Sequence, residues 1–247
     1  MICDAHIIIG DLYRNDGKVV SYSPRRICSI LRKFGVDEFI YSSASMVWRN
    51  KSVDTIHKET AEMQKLFGRG AHPFLWVTKR YLRDDPSLSI LRFGFYEGVY
   101  LGVEGIWKLS DEKLERVFSI AEELKKPVTI CTSYDSGMAT WFFEPIKRHP
   151  NVRFNLAHGC TFQQTLKCLH AFENVFVDIS GMADEDVHYL ATSEYASRTL
   201  WGTNFPVAAV RYGESLTANM RRNILVHNAL SKHVDFTSNF RRYLVGV

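Results

Sequence analysis

Short apolar runs, each long enough for one buried strand, recur through this chain, and segments with helical spacing separate most of them. This alternation predicts strand–helix–strand units and a parallel sheet, because parallel neighbours are joined by long crossovers that are usually helices. The length of 247 residues suits one large α/β domain. We therefore predict a single-domain α/β fold over residues 1–247, a closed (β/α)8 TIM barrel. The predicted strands are residues 2–10, 38–42, 74–77, 101–106, 128–132, 152–156, 175–178 and 199–202.

Capping residues mark several of the helices between these strands. Ser23 is a predicted N-cap, and Pro24 occupies the first helical position, where a missing N–H is tolerated. Ser110 is expected to cap the clearest helix of the chain. Residues 11–22 are predicted to be a polar loop. The apolar spacing of residues 216–224 predicts a further helix that completes the outer ring.

The composition is that of an ordinary soluble globular protein, with 46% hydrophobic and 23% charged residues. The net charge of +4 is mild and the basic pairs are scattered, so we expect no nucleic-acid partner. Five cysteines form no C-x-x-C or metal-finger spacing, which favours reduced thiols and a cytoplasmic location. No apolar run approaches the length of a membrane span, and we expect no signal peptide. The expected partner is a small molecule, and a homo-oligomer is compatible with this sequence.

The first apolar run carries two polar residues, Asp4 and His6, where burial disfavours them. Side chains alternate along a strand, so Asp4, His6 and Ile8 are predicted to share one side. Cys3, Ala5, Ile7 and Ile9 are predicted to take the other side. His6 then lies near the carboxyl end of its strand, where the active sites of parallel α/β folds are found.

The segment Asp4-Ala5-His6-Ile7-Ile8 with Gly10 resembles the opening of the amidohydrolase-related (amidohydrolase 2) family, which are TIM-barrel metal-dependent hydrolases. The family has a second histidine where this chain has Ile8. The likeness continues along nearly the whole chain and implies the same barrel. Its other matching segments are residues 101–106, 127–132, 150–159, 174–181, 200–206 and 228–229.

The resemblance implies an altered metal site. The family's metal ligands correspond to positions 6, 8, 131 and 204, with the histidine at 158 in or beside the coordination shell. This chain keeps His6 and His158 but has Ile8, Cys131 and Asn204 at the remaining positions. Isoleucine has no lone pair, and a neutral amide is a poor zinc ligand that cannot take a proton from bound water. Cys131, in contrast, favours metal binding, since a thiolate binds zinc strongly.

The candidate catalytic residues are therefore His6, Cys131, His158 and Asn204, and their roles stay open. One alternative is a zinc site formed by His6, Cys131 and His158, with Asn204 as a weak fourth partner. A second alternative has no metal, and Cys131 is a nucleophile, His158 its base and Asn204 an oxyanion donor. In a third, Cys131 is a small apolar filler. We expect either no cofactor or zinc, and the residues favour a site without metal.

The loops after the strands carry aromatic and basic side chains that suit an anionic, partly apolar small molecule. The alternative for each is an ordinary solvated side chain. The candidate substrate-binding residues are Trp48, Arg49, Lys79, Arg80, Tyr134 and Arg211.

Two functions remain open from the sequence. The leading hypothesis is an amidohydrolase-like hydrolase, or a related lyase or decarboxylase, that acts on a small carboxylate-bearing compound. The alternative is a non-catalytic ligand-binding or partner subunit on the same barrel, because a fold does not imply a function.

Overall fold

The computed structural model describes residues 1–45, 51–85, 87–102, 112–132, 138–159 and 161–246, with the backbone alone at 138–141. Its strands form one sheet in the order β2-β1-β3-β4-β5-β6-β7-β8-β9. The strands are β1 Ile2–Tyr13, β2 Val19–Tyr22, β3 Val36–Ser43, β4 Ala71–Trp76, β5 Gly98–Leu101, β6 Val128–Cys131, β7 Phe154–Ala157, β8 Val175–Asp178 and β9 Thr199–Leu200.

The sheet closes on itself between its first and last parallel strands. β1 and β3 to β9 pair with one another in parallel. The Ala5 amide donates a hydrogen bond to the Trp201 carbonyl at 2.8 Å, and the Ile8 amide donates one to the Phe205 carbonyl at 2.9 Å. Ile7 forms a parallel bridge with Phe205. The predicted α/β TIM barrel is therefore confirmed.

Helices follow the strands around the outside of the barrel. Ser23 caps the first of them by accepting a hydrogen bond from the Arg26 amide, as its sequence predicts. The helices are α1 Pro24–Lys33, α2 Val53–Phe67, α3 Lys79–Asp84, α4 Ser89–Arg92, α5 Glu112–Glu123, α6 Met138–Arg148, α7 Phe162–Ala171, α8 Asp184–Thr192, a 3-10 turn Glu194–Arg198, α9 Val207–Tyr212, α10 Leu216–Leu230 and α11 Phe236–Val245. Among the described residues, no helix combines the length and apolar character needed to cross a membrane.

The apolar core has two parts, and strand alternation separates them. An outer cluster lies between sheet and helices, and it includes Leu75 and Val99 from strands and Val117 and Leu169 from helices. An inner cluster fills the barrel with the alternate strand residues, and it includes Phe74, Trp76, Tyr100, Cys131 and Phe176. The same strands thus contribute to both layers.

Helix α11 closes the amino end of the barrel. Its Tyr243 and Phe240 belong to the inner cluster and are fully buried. The Tyr243 ring lies 5.5 Å from Phe176 and 6.2 Å from Phe74. The Tyr243 hydroxyl and Thr129 Oγ1 are 2.8 Å apart, so the buried hydroxyl has a partner. We call α11 the plug of the barrel, because it covers the amino end. The open end, which we call the mouth, is therefore at the carboxyl ends of the strands.

Three sequence predictions need correction. Residues 11–22 are not a loop, because β1 continues to Tyr13 and pairs antiparallel with β2 as a hairpin. The strand predicted at 101–106 is Gly98–Leu101, while 103–110, with the predicted cap Ser110, lie outside the described residues. Irregular pairing between Asp4 and Ile7 breaks simple alternation, so Cys3 and Ala5 share the inner cluster with Ile8.

Candidate functional site

Three ionisable side chains meet inside the mouth of the barrel. His6, His158 and Asp178 are buried, and their nitrogen and oxygen atoms all lie within 4.8 Å of one another. The two imidazole rings have centroids 4.8 Å apart. They come from β1, from the turn after β7 and from the end of β8. We call these three residues the His–His–Asp cluster.

His6 lies between a carboxylate and a phenol. Its Nδ1 is 3.4 Å from Asp178 Oδ2, and its Nε2 is 3.2 Å from the Tyr100 hydroxyl. An ionised carboxylate can only accept, so Nδ1 carries the proton and Nε2 accepts the hydrogen bond from Tyr100. Burial lowers the pKa of His6 although Asp178 opposes this shift. The geometry therefore holds a neutral imidazole in one tautomer.

His158 reaches the cluster from a left-handed turn. Its φ is +71° and that of Gly159 is +61°, a conformation that non-glycine residues rarely adopt. Nδ1 of His158 lies 3.1 Å from the Ser180 carbonyl oxygen and 2.9 Å from Ser180 Oγ. Burial acts to lower the pKa of His158, but Cys131 and Asp178 outweigh it and raise that pKa to about 9. His158 is therefore the more basic of the two histidines.

Asp178 is the anionic centre of the cluster. Its carboxylate accepts hydrogen bonds from the Ser180 amide at 3.0 Å, from Ser180 Oγ, and from Asn155 Nδ2 at 3.2 Å. Burial acts to raise the pKa of Asp178, but His6 and His158 hold it well below its usual range. Gly202 on the neighbouring segment leaves room, because a Cβ there would lie 2.8 Å from the carboxylate.

Asp4 organises the backbone beneath the cluster. Its Oδ1 accepts hydrogen bonds from the amides of His6 at 3.0 Å and Thr203 at 3.1 Å, and its Oδ2 accepts one from Thr203 Oγ1 at 2.7 Å. Burial raises the pKa of Asp4 to about 7 despite these hydrogen bonds. Asp4 thus joins β1 to the segment after β9, an architectural role.

Cys131 ends β6 and lies beside the cluster. It is buried in the inner cluster, and its thiol has hydrogen-bond contacts with the side chains of His158 and Tyr100. Two causes raise the pKa of Tyr100 well above its usual value: burial, which is the larger, and the neighbouring Cys131. The phenol therefore stays protonated. The structure therefore brings three of the four candidate catalytic residues together.

Asn204 and Ile8 have different surroundings. Asn204 follows β9 with a φ of +50°, and its carbonyl accepts a hydrogen bond from the Val207 amide at 2.8 Å. Within the described residues, its side chain makes no hydrogen bond to His6, Cys131 or His158. Ile8 packs in the inner cluster, where it supplies no ligand atom.

The candidate substrate-binding residues fall into two groups. Lys79 and Arg80 begin α3, and Arg80 Nε lies 4.0 Å from Asp84. Arg211 is part of α9 and is half-buried. The other three, Trp48, Arg49 and Tyr134, lie outside the described residues.

A family model described as amidohydrolase matches residues 97–231, more than half of the 247 residues. The chain belongs to this amidohydrolase family. The matched part includes Tyr100, Cys131, His158 and Asp178, and it extends from just before β5 to just after α10. A search of curated protein sequences gives no match.

Solved structures share the barrel fold of this chain at low sequence identity. A probable 2-pyrone-4,6-dicarboxylic acid hydrolase from Acinetobacter baumannii, crystallised with citric acid, has a TM-score of 0.73 and 10% identity over 98% of both chains. A Burkholderia multivorans amidohydrolase with bound zinc has a TM-score of 0.68 and 12% identity over 99% of both. A 4-oxalomesaconate hydratase from Rhodopseudomonas palustris has a TM-score of 0.62 and 13% identity, over 99% of this chain and 95% of the hydratase chain.

The His–His–Asp cluster is a donor set that fits zinc. Two imidazoles and one carboxylate are ordinary zinc ligands, and catalytic zinc sites have three protein ligands. The candidate ligand atoms lie within 4.8 Å of one another, but Nδ1 of His6 faces Asp178 and would have to lose its proton before it could bind a metal. The cluster thus combines two of the three expected ligands with Asp178.

Sequence reasoning missed several contributors to this site. Asp178 ends the seventh predicted strand but is not among the candidate site residues of the sequence analysis. Tyr100 precedes the predicted fourth strand, so its inward position was not predicted. Ser180 follows Asp178 by two residues, and this spacing on a strand end was the available signal.

Proposed function

We propose that this amidohydrolase-family chain is an enzyme that acts on a small carboxylate-bearing compound, by hydrolysis or by a related lyase or decarboxylase reaction. The observation that carries the proposal is the buried His–His–Asp cluster at the carboxyl ends of the strands. Burying ionisable groups together is costly, and such groups concentrate at functional sites. The names of the structural neighbours, a dicarboxylic acid hydrolase and an oxalomesaconate hydratase, support the substrate class.

In the proposed mechanism, Asp178, His6 and Tyr100 form one proton path. Asp178 holds the Nδ1 proton of His6, which leaves the Nε2 lone pair facing the phenol at 3.2 Å. When the Tyr100 hydroxyl passes its proton to Nε2 of His6, the phenol oxygen can take a proton from a reacting group of the substrate, so that Tyr100 ends the step protonated. His6 is thus the base of this path, and Asp178 stabilises the imidazolium that forms.

His158 and Cys131 form the second arm of the proposed mechanism. Ser180 fixes His158 through its carbonyl and hydroxyl oxygens. The protonated imidazole of His158 can stabilise negative charge that develops on a substrate oxygen. Cys131 touches both His158 and Tyr100, which suits a nucleophile or an anion-stabilising thiol.

When bound, zinc supplies a Lewis acid that lowers the pKa of a water ligand. His6, His158 and Asp178 are the residues that would hold it, and Cys131 lies next to His158. Each of the three residues already has a hydrogen-bond partner among the described residues. Zinc would therefore have to displace part of the hydrogen-bond network.

Basic groups around the mouth are proposed to attract the substrate. Lys79, Arg80 and Arg211 lie on helices that follow strand ends, where they supply positive charge. Trp48, Arg49 and Tyr134 remain proposed substrate contacts. Asn204 remains a proposed orienting donor, and the whole chain is proposed to act as one barrel domain.

The direct test is a turnover screen with purified protein. The substrates are 2-pyrone-4,6-dicarboxylate, 4-oxalomesaconate and a panel of aromatic and unsaturated carboxylates, each followed by ultraviolet absorbance. Every assay is run with added zinc and, separately, after chelation. We expect at least one carboxylate to turn over, and His158→Asn to abolish that activity. No turnover with any compound, in either metal state, contradicts the catalytic proposal.

Ile8 favours a second candidate function, because this inner-cluster side chain contributes no ligand where the family has a histidine. In that case the barrel would bind a carboxylate without transforming it. Calorimetric titration with the same panel separates the two functions. Binding without turnover supports the binding subunit, whereas turnover excludes it.

A further inference from the structure

Trp76 has an unpaired polar atom at the end of β4. Its side chain is 8% exposed, and Nε1 is fully buried. Among the residues that the structure describes, no atom accepts a hydrogen bond from this N–H. A buried donor without an acceptor is unfavourable, because it has lost its hydrogen bond to water. Such an atom in a native barrel is a sign of a missing acceptor.

The indole lies at the mouth and next to the catalytic candidates. Its N–H edge covers Gly102, which follows the last residue of β5, and a Cβ at Gly102 would lie 2.5 Å from Nε1. The indole packs edge-on against Tyr100, with ring centroids 4.6 Å apart. Gly102 therefore leaves the space that the N–H edge occupies.

Tyr100 connects this position to the His–His–Asp cluster. The same phenol that packs against Trp76 bonds to Nε2 of His6 at 3.2 Å. The His6 ring is 4.8 Å from the His158 ring. Trp76, Tyr100, His6 and His158 thus form a continuous series of side-chain contacts from the end of β4 to the His–His–Asp cluster.

We propose that the indole N–H of Trp76 binds a carboxylate oxygen of the substrate and thereby positions the reacting carbons beside His6 and His158. This inference rests on the proposed function and names one residue that determines its substrate class. An indole N–H only donates, so its partner must be an acceptor such as a carboxylate or carbonyl oxygen, and an ammonium group, which also only donates, cannot bind there. In a buried site, a hydrogen bond to a charged oxygen is stronger than one in water.

The first test measures binding of three probes, citrate, phthalate and 2-pyrone-4,6-dicarboxylate, by calorimetry. Trp76→Phe keeps an aromatic ring and removes the N–H, so we expect about 10- to 100-fold weaker binding. Trp201→Phe is the matched control, since Trp201 is also buried but packs in the outer cluster against His227. Its affinity should equal that of the wild type.

The second test observes the tryptophans of the wild-type protein directly, and a variant serves to assign the Trp76 signal. The chain has five tryptophans, so the wild type gives five indole N–H signals in a nitrogen-15 spectrum. The Trp76 signal is assigned by its loss in Trp76→Phe. We expect this signal to move downfield when a carboxylate binds, while the signal of Trp201 stays in place. Gly102→Ala should displace the indole edge and weaken binding without removing the tryptophan.

The outcomes separate this inference from the proposed function. Suppose that the wild type binds a probe, that His6→Asn does not bind it, and that Trp76→Phe binds it with full affinity. The Trp76 inference is then wrong and the proposed function stands. If none of the three probes binds or shifts an indole signal, both are contradicted. Weak binding in both Trp76→Phe and Trp201→Phe would indicate general damage to the fold and would also overturn the inference.

Discussion

The two ends of the barrel bury polar side chains in opposite ways. At the amino end, Tyr243 bonds to Thr129, and His72 lies between two carboxylates, 2.8 Å from Glu97 and 3.3 Å from Glu38. These polar groups have partners, and α11 covers them. At the mouth, two histidines and an aspartate have their ligand atoms within 4.8 Å of one another, and the nearby N–H of Trp76 has no acceptor in the part of the chain that the structure describes.

Under the proposed function, this difference separates polar groups that stabilise the fold from polar groups that take part in the reaction. A histidine between two carboxylates, as at position 72, has its hydrogen bonds satisfied and leaves little for a ligand. His6 and His158 share a single carboxylate, Asp178, and also contact a phenol and a thiol that can exchange protons or react. The comparison therefore predicts that substitutions at the mouth change turnover and that substitutions at the amino end change stability.

The largest expected effect is on turnover at the mouth. His6→Asn removes the imidazole that bonds to Tyr100 and Asp178, so kcat should fall by about 10²- to 10⁴-fold. The matched control is His72→Asn, the same substitution at a buried histidine of the closed end. Its kcat per folded molecule should match the wild type, and equal losses in both variants would break the comparison.

The next effect is on stability at the amino end. Tyr243→Ala removes a fully buried ring from the inner cluster and leaves a cavity, which should lower the free energy of unfolding by about 3–5 kcal/mol. Chemical denaturation measures this change. The kcat of the folded fraction should be unchanged, and a large loss of kcat with little loss of stability would show that the plug takes part in the chemistry.

A smaller loss is expected from the buried hydroxyl at the same position. Tyr243→Phe keeps the ring but removes the 2.8 Å hydrogen bond to Thr129, so unfolding should become easier by about 0.5–1.5 kcal/mol. Denaturant midpoints of the single and double variants with Thr129→Val test the pair. If the two single losses simply add in the double variant, this hydrogen bond contributes no coupling.

The smallest expected effect is a change in the pH dependence of the free energy of unfolding, caused by a carboxyl group near the amino end. A hydrogen bond from His149 lowers the pKa of Glu122, whose Oε2 lies 2.9 Å from His149 Nδ1. A carboxyl group with a lowered pKa stabilises the fold above its unfolded pKa, and this contribution disappears as the pH falls. In Glu122→Gln, the free energy of unfolding should therefore fall less steeply as the pH is lowered below about 4.5. Glu185→Gln, the same substitution at an exposed position of α8, is the matched control.

The fold was largely predictable because apolar periodicity reports directly on burial. The eight parallel strands lie at or close to their predicted positions, since each apolar run is limited by polar or turn residues. The β1–β2 hairpin was missed because Val19–Tyr22 is short and only partly buried. The plug by α11 was missed because periodicity shows that a helix has an apolar face, but not which surface that face covers.

Residues of the candidate site could be predicted only where they belong to a sequence motif. His6 and His158 were found through the family resemblance, and the structure brings their rings together. Tyr100 and Trp76 belong to apolar runs in which aromatic residues are ordinary core residues, so only three-dimensional contacts single them out. Asn204 follows the last strand as expected, but the path of its backbone and side chain depends on φ, which no residue pattern gives.

The central claim is that carboxylate chemistry takes place at the mouth, between His6 and His158. The most direct measurement is a spectrum of the imidazole nitrogens of all nine histidines, recorded with and without a bound carboxylate such as citrate. The account predicts that the signals of His6 and His158 shift while those of His72 and His149 stay in place. Shifts confined to His72 or His149, or the absence of any shift at saturating carboxylate, would contradict it.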